Sequence, residues 1–287
     1  MQEHQNWGAE ALWQDLEPLL PGLSIEVLAR VESTNATLVE RVRRDEATPP
    51  SSAAARGGDR PGDRPYGRRQ HDLHPCLLIA EHQTHGRGRQ GRAWHSTAGA
   101  SLTFSLSLPL EVADWSGLSL VVGAAIAEAL DPEGRRLALK WPNDLWLDER
   151  KLGGILIETV PAGSSRMAVV GVGLNVSDRA RVADSQLGTG FACLQELIPD
   201  ITPPEALARL APALVKALAA FPREGFGAWR ERFSARDLLQ GRALTAGLLE
   251  GIGAGVNERG ELLIDTAQGR QTVSGGEVSV RLGAGQG

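Results

Sequence analysis

The chain has almost no lysine. Of its 30 basic residues three are lysine and 27 arginine, and two of the three, Lys140 and Lys151, fall in one stretch, KWPNDLWLDERKLGG. Where arginine is the default cation, a lysine marks a position that wants a compact, rotatable ammonium instead of a planar fork. Chance placement is the alternative. Cysteine is scarcer still: Cys76 and Cys193 are far apart and form no CxxC pair, so neither a disulfide framework nor a cysteine zinc site is suggested. Long apolar runs are missing too. The longest, LSLVVGAAIAEAL, is too short to span a bilayer and contains Glu128, and the amino terminus lacks the basic-then-apolar pattern of a leader. We therefore expect a soluble, cytoplasmic protein without membrane contact. Nor is there a positive excess. The formal net charge is −5, which offers nucleic acid no basic field, so any anion site must be local.

What is present divides into a long first part and a short last one. Residues 10–20 read as a helix and 24–31 as a strand; Ser33 or Thr34 can cap a helix running through ATLVERVRR. Residues 45–74, rich in Pro, Gly, Arg and Ala and without periodicity, read as a mobile inserted loop. CLLIAEHQ (76–83) is a buried-type strand and SLTFSLSL (101–108) an alternating one. WSGLSLVVGAAIAEAL (115–130) is an apolar helix, followed by short strands around LALKW, DLWLD, GILIETV and MAVVGVGLNV. A helical pattern extends from Pro203 to about Phe233, with two prolines in its first turn. From Gly241 to Leu282 the period changes: LTAGLLEGI, ELLIDTA, RQTVS and EVSVRL read as short strands of a small, barrel-like all-β module.

HGRGRQGRAW (85–94) has the spacing Gly86-x-Gly88-x-x-Gly91 of a dinucleotide loop. In such a loop the third glycine opens a helix whose N-terminus holds the pyrophosphate. Here Gly91 leads into a strand, so the context fails. Groove binding by its arginines finds no support in the negative net charge, and a merely solvated turn does not explain three glycines beside three arginines. The physical content is a backbone that permits close approach, with forks that bind carboxylate or phosphate oxygens. Such a loop can hold two anions near each other, and if these are a carboxylate and a triphosphate the chemistry is acyl adenylation. His82, His85 and His95 lie near the loop but have no third ligand at a recognisable spacing, and no metal site is assigned to them.

Four blocks in order, STN (33–35), GRGRQGRAW (86–94), KWPNDLWLDERKLGGILIE (140–158) and GVGLN (171–175), with GGEVSVR (275–281) near the end, give the chain its resemblance to the biotin protein ligases. The resemblance covers almost the whole chain. It implies a mixed-sheet α/β sandwich catalytic domain over residues 1–235 and a small SH3-like β-barrel over 236–287. It implies ATP-dependent attachment of biotin, through biotinyl-5′-AMP and with Mg2+, to a lysine of a biotin carboxyl carrier protein or domain, and it admits a homodimer. With STN at residues 33–35 we expect no DNA-binding helix-turn-helix ahead of it, hence no repressor. The competing readings are a lipoate or octanoyl ligase of related fold and a non-catalytic biotin- or nucleic-acid-binding module.

The resemblance also implies residue roles. Ser33, Thr34 and Asn35 would bond the ureido ring of biotin, with Gln83 lining the same pocket and Gly86 and Gly88 permitting close approach. Arg87 and Arg89 would hold the carboxylate and phosphates, Arg92 standing at the periphery; Trp94 would pack beside the adenylate or serve structure alone. Lys151 would bridge the biotin carboxylate and the α-phosphate. Lys140 and Asn143 would support the nucleotide or the turn between strands. Asp144 would orient or deprotonate the acceptor lysine, or cap its own turn. Gly154, Gly171 and Gly173 would sit where biotin presses on the strands, and Asn175 would contact phosphate or magnesium. One departure is Ser101, where the family commonly has asparagine.

Overall fold

A computed structural model describes residues 5–46, 73–163, 165–178, 190–274 and 280–283. A seven-stranded sheet runs in the order β1-β2-β5-β9-β8-β7-β6. Its strands are β1 (Ser24–Leu28), β2 (Cys76–Ala80), β5 (Ser101–Pro109), β6 (Leu137–Lys140), β7 (Asp144–Leu147), β8 (Arg150–Ala162) and β9 (Ser165–Asn175). Only β1 and β2 are parallel; the other pairs are antiparallel. The sheet is therefore mixed, as expected.

Both faces are covered, unequally. Helix α2 (Thr34–Glu46) packs Leu38, Val39 and Val42 on one face, over Leu78, Val160, Met167 and Val169. The other face meets α1 (Ala9–Leu16), α3 (Leu118–Leu130) and α4 (Pro203–Glu224) in the main core. Strand β5 shows how one sequence serves both faces. Leu102, Phe104, Leu106 and Leu108 enter the main core, each such burial contributing roughly 1.5–3 kcal/mol. Alternation in SLTFSLSL suggests a strand wet on one side, yet Ser101, Thr103, Ser105 and Ser107 are buried as well. Their hydroxyls face the α2 side.

Several boundaries differ from the sequence reading for local reasons. The expected strand 24–31 stops at Leu28, with one further bridge from Val31 to Gln83. The expected single helix from Pro203 to Phe233 starts with a Thr202/Glu205 capping box but breaks at Gly225, where φ is +61° and ψ −168°. A separate helix α5 (Arg230–Ser234) follows. LTAGLLEGI is two strands, since Gly247 (φ +62°) turns the chain between β10 (Ala243–Ala246) and β11 (Leu249–Val256). With β12 (Leu262–Thr266), β13 (Gly269–Val273) and β14 (Val280–Leu282) they form a five-stranded antiparallel sheet in the order β13-β12-β11-β10-β14. Of the inserted stretch 45–74, residues 45–46 end α2 and 73–74 precede β2; the rest lies outside the described residues, as do 275–279 of GGEVSVR.

The β module is tied to the larger sheet at two places. The chain leading into it lies parallel to β6, with Leu139 N donating to Arg236 O at 2.8 Å and Leu238 N to Leu139 O at 2.9 Å. Then Trp141, buried in the turn after β6, donates its indole N–H to Gly260 O at 2.9 Å. Gly260 must be glycine: φ is +74°, and a Cβ would stand 2.9 Å from Gly117 Cα. Among the described residues no helix is long and apolar enough to cross a membrane.

Candidate active site

The α2 side of the sheet holds most of the residues singled out from sequence, in two neighbouring rows across the strands. One row is Ser105–Gly171–Leu156. The next, two residues along, is Thr103–Gly173–Gly154–Asp144–Lys140. From Gly173 to Lys140 the second row covers three strand spacings, about 14 Å.

The first row is the neutral end. Ser33 Oγ caps α2, accepting from Ala36 N at 3.4 Å. Thr34 donates its backbone N–H to Gln83 Oε1 at 2.8 Å, and its Oγ1 lies 3.2 Å from the same oxygen. Asn35 Nδ2 donates to Leu156 O at 3.2 Å and to Glu158 Oε2 at 2.9 Å. Ser105 Oγ stands 2.6 Å from Asn35 Oδ1 and 2.7 Å from Thr34 Oγ1. Thr34, Asn35, Gln83 and Ser105 are all buried, so partners replace the water these groups have lost. Ser105 and Glu158 did not stand out in the sequence. The signal for Ser105 was available: hydroxyls alternating with large apolar residues in a strand flanked by buried strands.

Glycine is needed in both rows for contact. A Cβ on Gly171 would lie 2.1 Å from Asn35 Oδ1, and one on Gly173 would lie 2.5 Å from the Trp94 ring. The protein neighbours pressing on these glycines are thus Asn35 and Trp94. Trp94 Nε1 is buried with no hydrogen-bond partner among the described residues.

The second row ends in charge. A bulge in β8 places Leu145 opposite Gly153 and Trp146 opposite Lys151, leaving Leu152 as the extra residue. The alternation reverses there. Leu152 joins the main core, fully buried, and Lys151 turns to the site face, where Nζ donates to Asp144 Oδ1 at 2.8 Å. A Cβ on Gly154 would point between these two, 3.4 Å from Asp144 Oδ1 and 3.7 Å from Lys151 Nζ. Lys140 Nζ lies over the Trp146 ring, 4.8 Å from its centroid. Burial lowers the Lys140 pKa; Asp144 opposes that shift, and Lys151 and Arg92 add to it. Burial likewise lowers Arg89.

The glycine-arginine loop forms a small ribbon, β3 (Gly86–Arg87) against β4 (Ala93–Trp94), closed by a 3-10 turn. Gly86 has no room for a Cβ, which would meet Trp94 O at 2.3 Å. Gln90 (φ +57°) and Gly91 (φ +69°) make two consecutive left-handed residues at the turn, whereas Gly88 is extended and needs no special freedom. Of the arginines only Arg89 turns inward: it is half-buried, with Nη1 3.4 Å from Asn143 Oδ1. Arg87 and Arg92 are exposed, the latter bonding Gln90 Oε1 at 3.1 Å. Asn143 does hold the turn, donating Nδ2 to Ile155 O at 2.7 Å. Asn175 spends its Nδ2 on Ala192 O at 3.3 Å, while Ala192 N donates to Lys151 O at 2.9 Å. Residues 191–192 are thereby strapped beside Lys151, a neighbour that sequence reading missed. A cleft of about 400 Å3 with Arg89 and Asn143 in its wall lies between α3 and the β module, bordered by Ile155 and Ile157 from the core-facing side of β8.

The sequence and fold match known proteins. Residues 69–175 match the biotin/lipoate A/B protein ligase family, and residues 242–281 the biotin protein ligase C terminal domain. The chain is 35% identical over 270 residues to the bifunctional ligase/repressor BirA of Escherichia coli K12, covering 91% of this chain and 75% of that one. It is 31% identical over 273 residues to the biotin–[acetyl-CoA-carboxylase] ligase of Mycobacterium tuberculosis, covering 88% of each. Among solved structures, the biotin protein ligase of Aquifex aeolicus in complex with biotin and ATP superposes with a TM-score of 0.69 at 27% identity, over 91% of this chain and 99% of that one. With two family regions in order, relatives matched over most of their length and the same fold, the chain belongs to the biotin protein ligase family.

Proposed function

We propose that this protein attaches biotin to a lysine of a biotin carboxyl carrier protein or domain, using ATP and forming biotinyl-5′-AMP on the way. The observation that supports this most directly is the order of groups along one sheet face: a buried, uncharged hydrogen-bonding cluster, a glycine floor under Trp94, then Lys151, Asp144 and Arg89. That order matches a ligand with a neutral ring at one end and a carboxylate at the other.

In the first half-reaction the biotin carboxylate attacks the α-phosphorus of ATP and the bond to the β-phosphate bridging oxygen breaks, releasing pyrophosphate. Both reactants are anions, so attack requires their charges to be offset. Lys151 bridges them, with Arg89 beside it. Arg87 and Arg92, exposed on the loop, reach the phosphates as the loop folds over them. In the second half-reaction the acceptor amine attacks the acyl carbon, AMP leaves and the amine loses a proton. Asp144 is the carboxylate that orients the amine or takes that proton. Its present bond to Lys151 is released when Lys151 turns to the phosphates. Thr34 and Gln83 hold the ureido ring, with Ser33 and Asn35 as their support. Magnesium accompanies ATP. Asp144 fits it as a ligand, because Mg2+ at such sites takes one or two carboxylates and draws its other ligands from phosphate and water.

The division at 235/236, a cytoplasmic setting and a homodimer belong to the same reading. Incubation with ATP, magnesium, an apo carrier domain and labelled biotin or lipoate tests it. Transfer of biotin is expected. Transfer of lipoate alone would replace the reading with a lipoate ligase, and binding of biotin without transfer would make the protein a binding module.

A further inference from the structure

The hydrogen bonds at the neutral end form a chain with a direction. Asn35 Nδ2 faces two acceptors, Leu156 O and Glu158 Oε2. Reversing the amide would set Oδ1 against both, so Oδ1 must face Ser105, at 2.6 Å. Asn35 Oδ1 can only accept, and the Ser105 hydroxyl therefore donates to it. A hydroxyl has one proton. The 2.7 Å contact between Ser105 and Thr34 Oγ1 is thus closed by the Thr34 proton. Thr34 then has only lone pairs to offer a ligand, and its 3.2 Å approach to Gln83 Oε1 carries no proton. Gln83 Oε1 is already satisfied by Thr34 N–H at 2.8 Å, which leaves its Nε2 to donate. Thr34, Asn35 and Ser105 are each at most 3% exposed, so water does not reset the order.

We infer that Glu158 is a positioning residue for substrate selection. Together with Leu156 O, and through Asn35 and Ser105, it holds the Thr34 hydroxyl as an acceptor, and this end of the pocket then selects a ring that presents an N–H beside a carbonyl. A ring with an oxygen or sulfur in place of that N–H leaves the Thr34 lone pair facing another lone pair, in a site where an unpaired polar contact is costly. The inference rests on the biotin ligase reading and specifies what that reading leaves open, the group that tells the ureido ring from its isosteres.

The test compares biotin with its cyclic carbamate, in which one ring N–H is replaced by oxygen, on the full chain and on Glu158→Met, Glu158→Gln and Ser105→Ala variants. Transfer kinetics and calorimetric binding without ATP are both read. In Glu158→Met Asn35 keeps only its bond to Leu156 O, so the preference for biotin should fall severalfold, by less than the roughly tenfold of one whole hydrogen bond, through KM for biotin and with kcat and KM for ATP unchanged. Glu158→Gln should keep the wild-type preference, because its Oε1 accepts the same Asn35 hydrogen. Ser105→Ala cuts the chain, so adding Glu158→Met to it should change nothing further. An unaltered preference in Glu158→Met, or an equal fall in kcat and in both KM terms, would overturn the assignment. Should the wild type bind biotin and transfer nothing, the ligase reading fails while the binding preference still decides this one; if it does not bind biotin, both fail.

Discussion

The two ends of the site are built on opposite plans. At the Ser105–Gly171 row every polar side chain is neutral or partnered: Thr34 with Gln83 and Ser105, Asn35 with Leu156 O and Glu158. At the Asp144–Lys140 row cations gather around one carboxylate, and burial lowers the pKa of two of them, Lys140 and Arg89. The first end is ordered by its own hydrogen bonds, with Thr34 lone pairs and Gln83 Nε2 left to meet a ligand; at the second, burial works against the cations' charge, which an arriving anion offsets. A preorganised neutral end fixes where the substrate lies, and a charged end held in wait acts only when carboxylate and phosphate arrive together.

If this contrast is sound, changes at the charged end strike the chemistry and changes at the neutral end strike affinity. The largest effect is expected from Lys151→Met, which should slow biotin-dependent exchange of pyrophosphate into ATP by roughly 10^2–10^3. Lys151→Arg should be damaged as well, since a planar fork replaces a compact ammonium in the space beside Gly154 and Asp144. Full exchange activity in the arginine variant would break the assignment. At the other end Gly171→Ala would drive a Cβ to 2.1 Å from Asn35 Oδ1. Displacing Asn35 should raise the Kd for biotin by about tenfold or more, with exchange at saturating biotin close to wild type. An equal loss in kcat would erase the distinction between the ends.

The same contrast sets what the sequence could reveal. The charged end was legible because lysine is rare here and the blocks around Lys151 and Arg89 are distinctive. Its geometry was not, because a bulge turns Lys151 onto the site face and a strand pattern does not show where alternation reverses. The Gly153–Gly154 pair was the only hint. The neutral end was half legible. STN and Gln83 stood out, but Ser105 looked like one more outward residue of an alternating strand, since period-two patterning cannot tell solvent from a lined pocket. Glu158 resembled any strand-end charge. In the fold, strand identities followed from patterning, whereas the stop at Gly225 and the turn at Gly247 depend on backbone angles that a helical or apolar run does not display.

Hydrogen exchange should separate the ends without mutation. The loop amides of 86–94 sit on a two-residue ribbon with exposed arginines, and biotin plus ATP should protect them by an order of magnitude or more. The Thr34 amide, already bonded to buried Gln83, should change far less. Equal protection of the loop with and without ligands would show that both ends are preformed.

The smallest effect concerns stability. Burial lowers the Lys140 pKa in the folded protein, whereas the unfolded chain keeps the ordinary lysine value. Below the folded pKa both states carry the proton, and there the folded state bears the full penalty of a buried ammonium. The penalty fades only as pH rises from the folded pKa towards the ordinary lysine range. Lys140→Met should therefore raise Tm by a few degrees or less at pH 7, with the lost contact to Trp146 offsetting part of the gain. The gain should shrink as pH rises towards about 10 and be gone once the unfolded lysine also loses its charge. Saturating ATP should reverse the sign, because a polyphosphate beside Lys140 favours the charged form that the empty site disfavours. A variant less stable than wild type in the absence of nucleotide would mean that Trp146 and Asp144 already satisfy the ammonium, and the charged end would then be as complete without ligand as the neutral one.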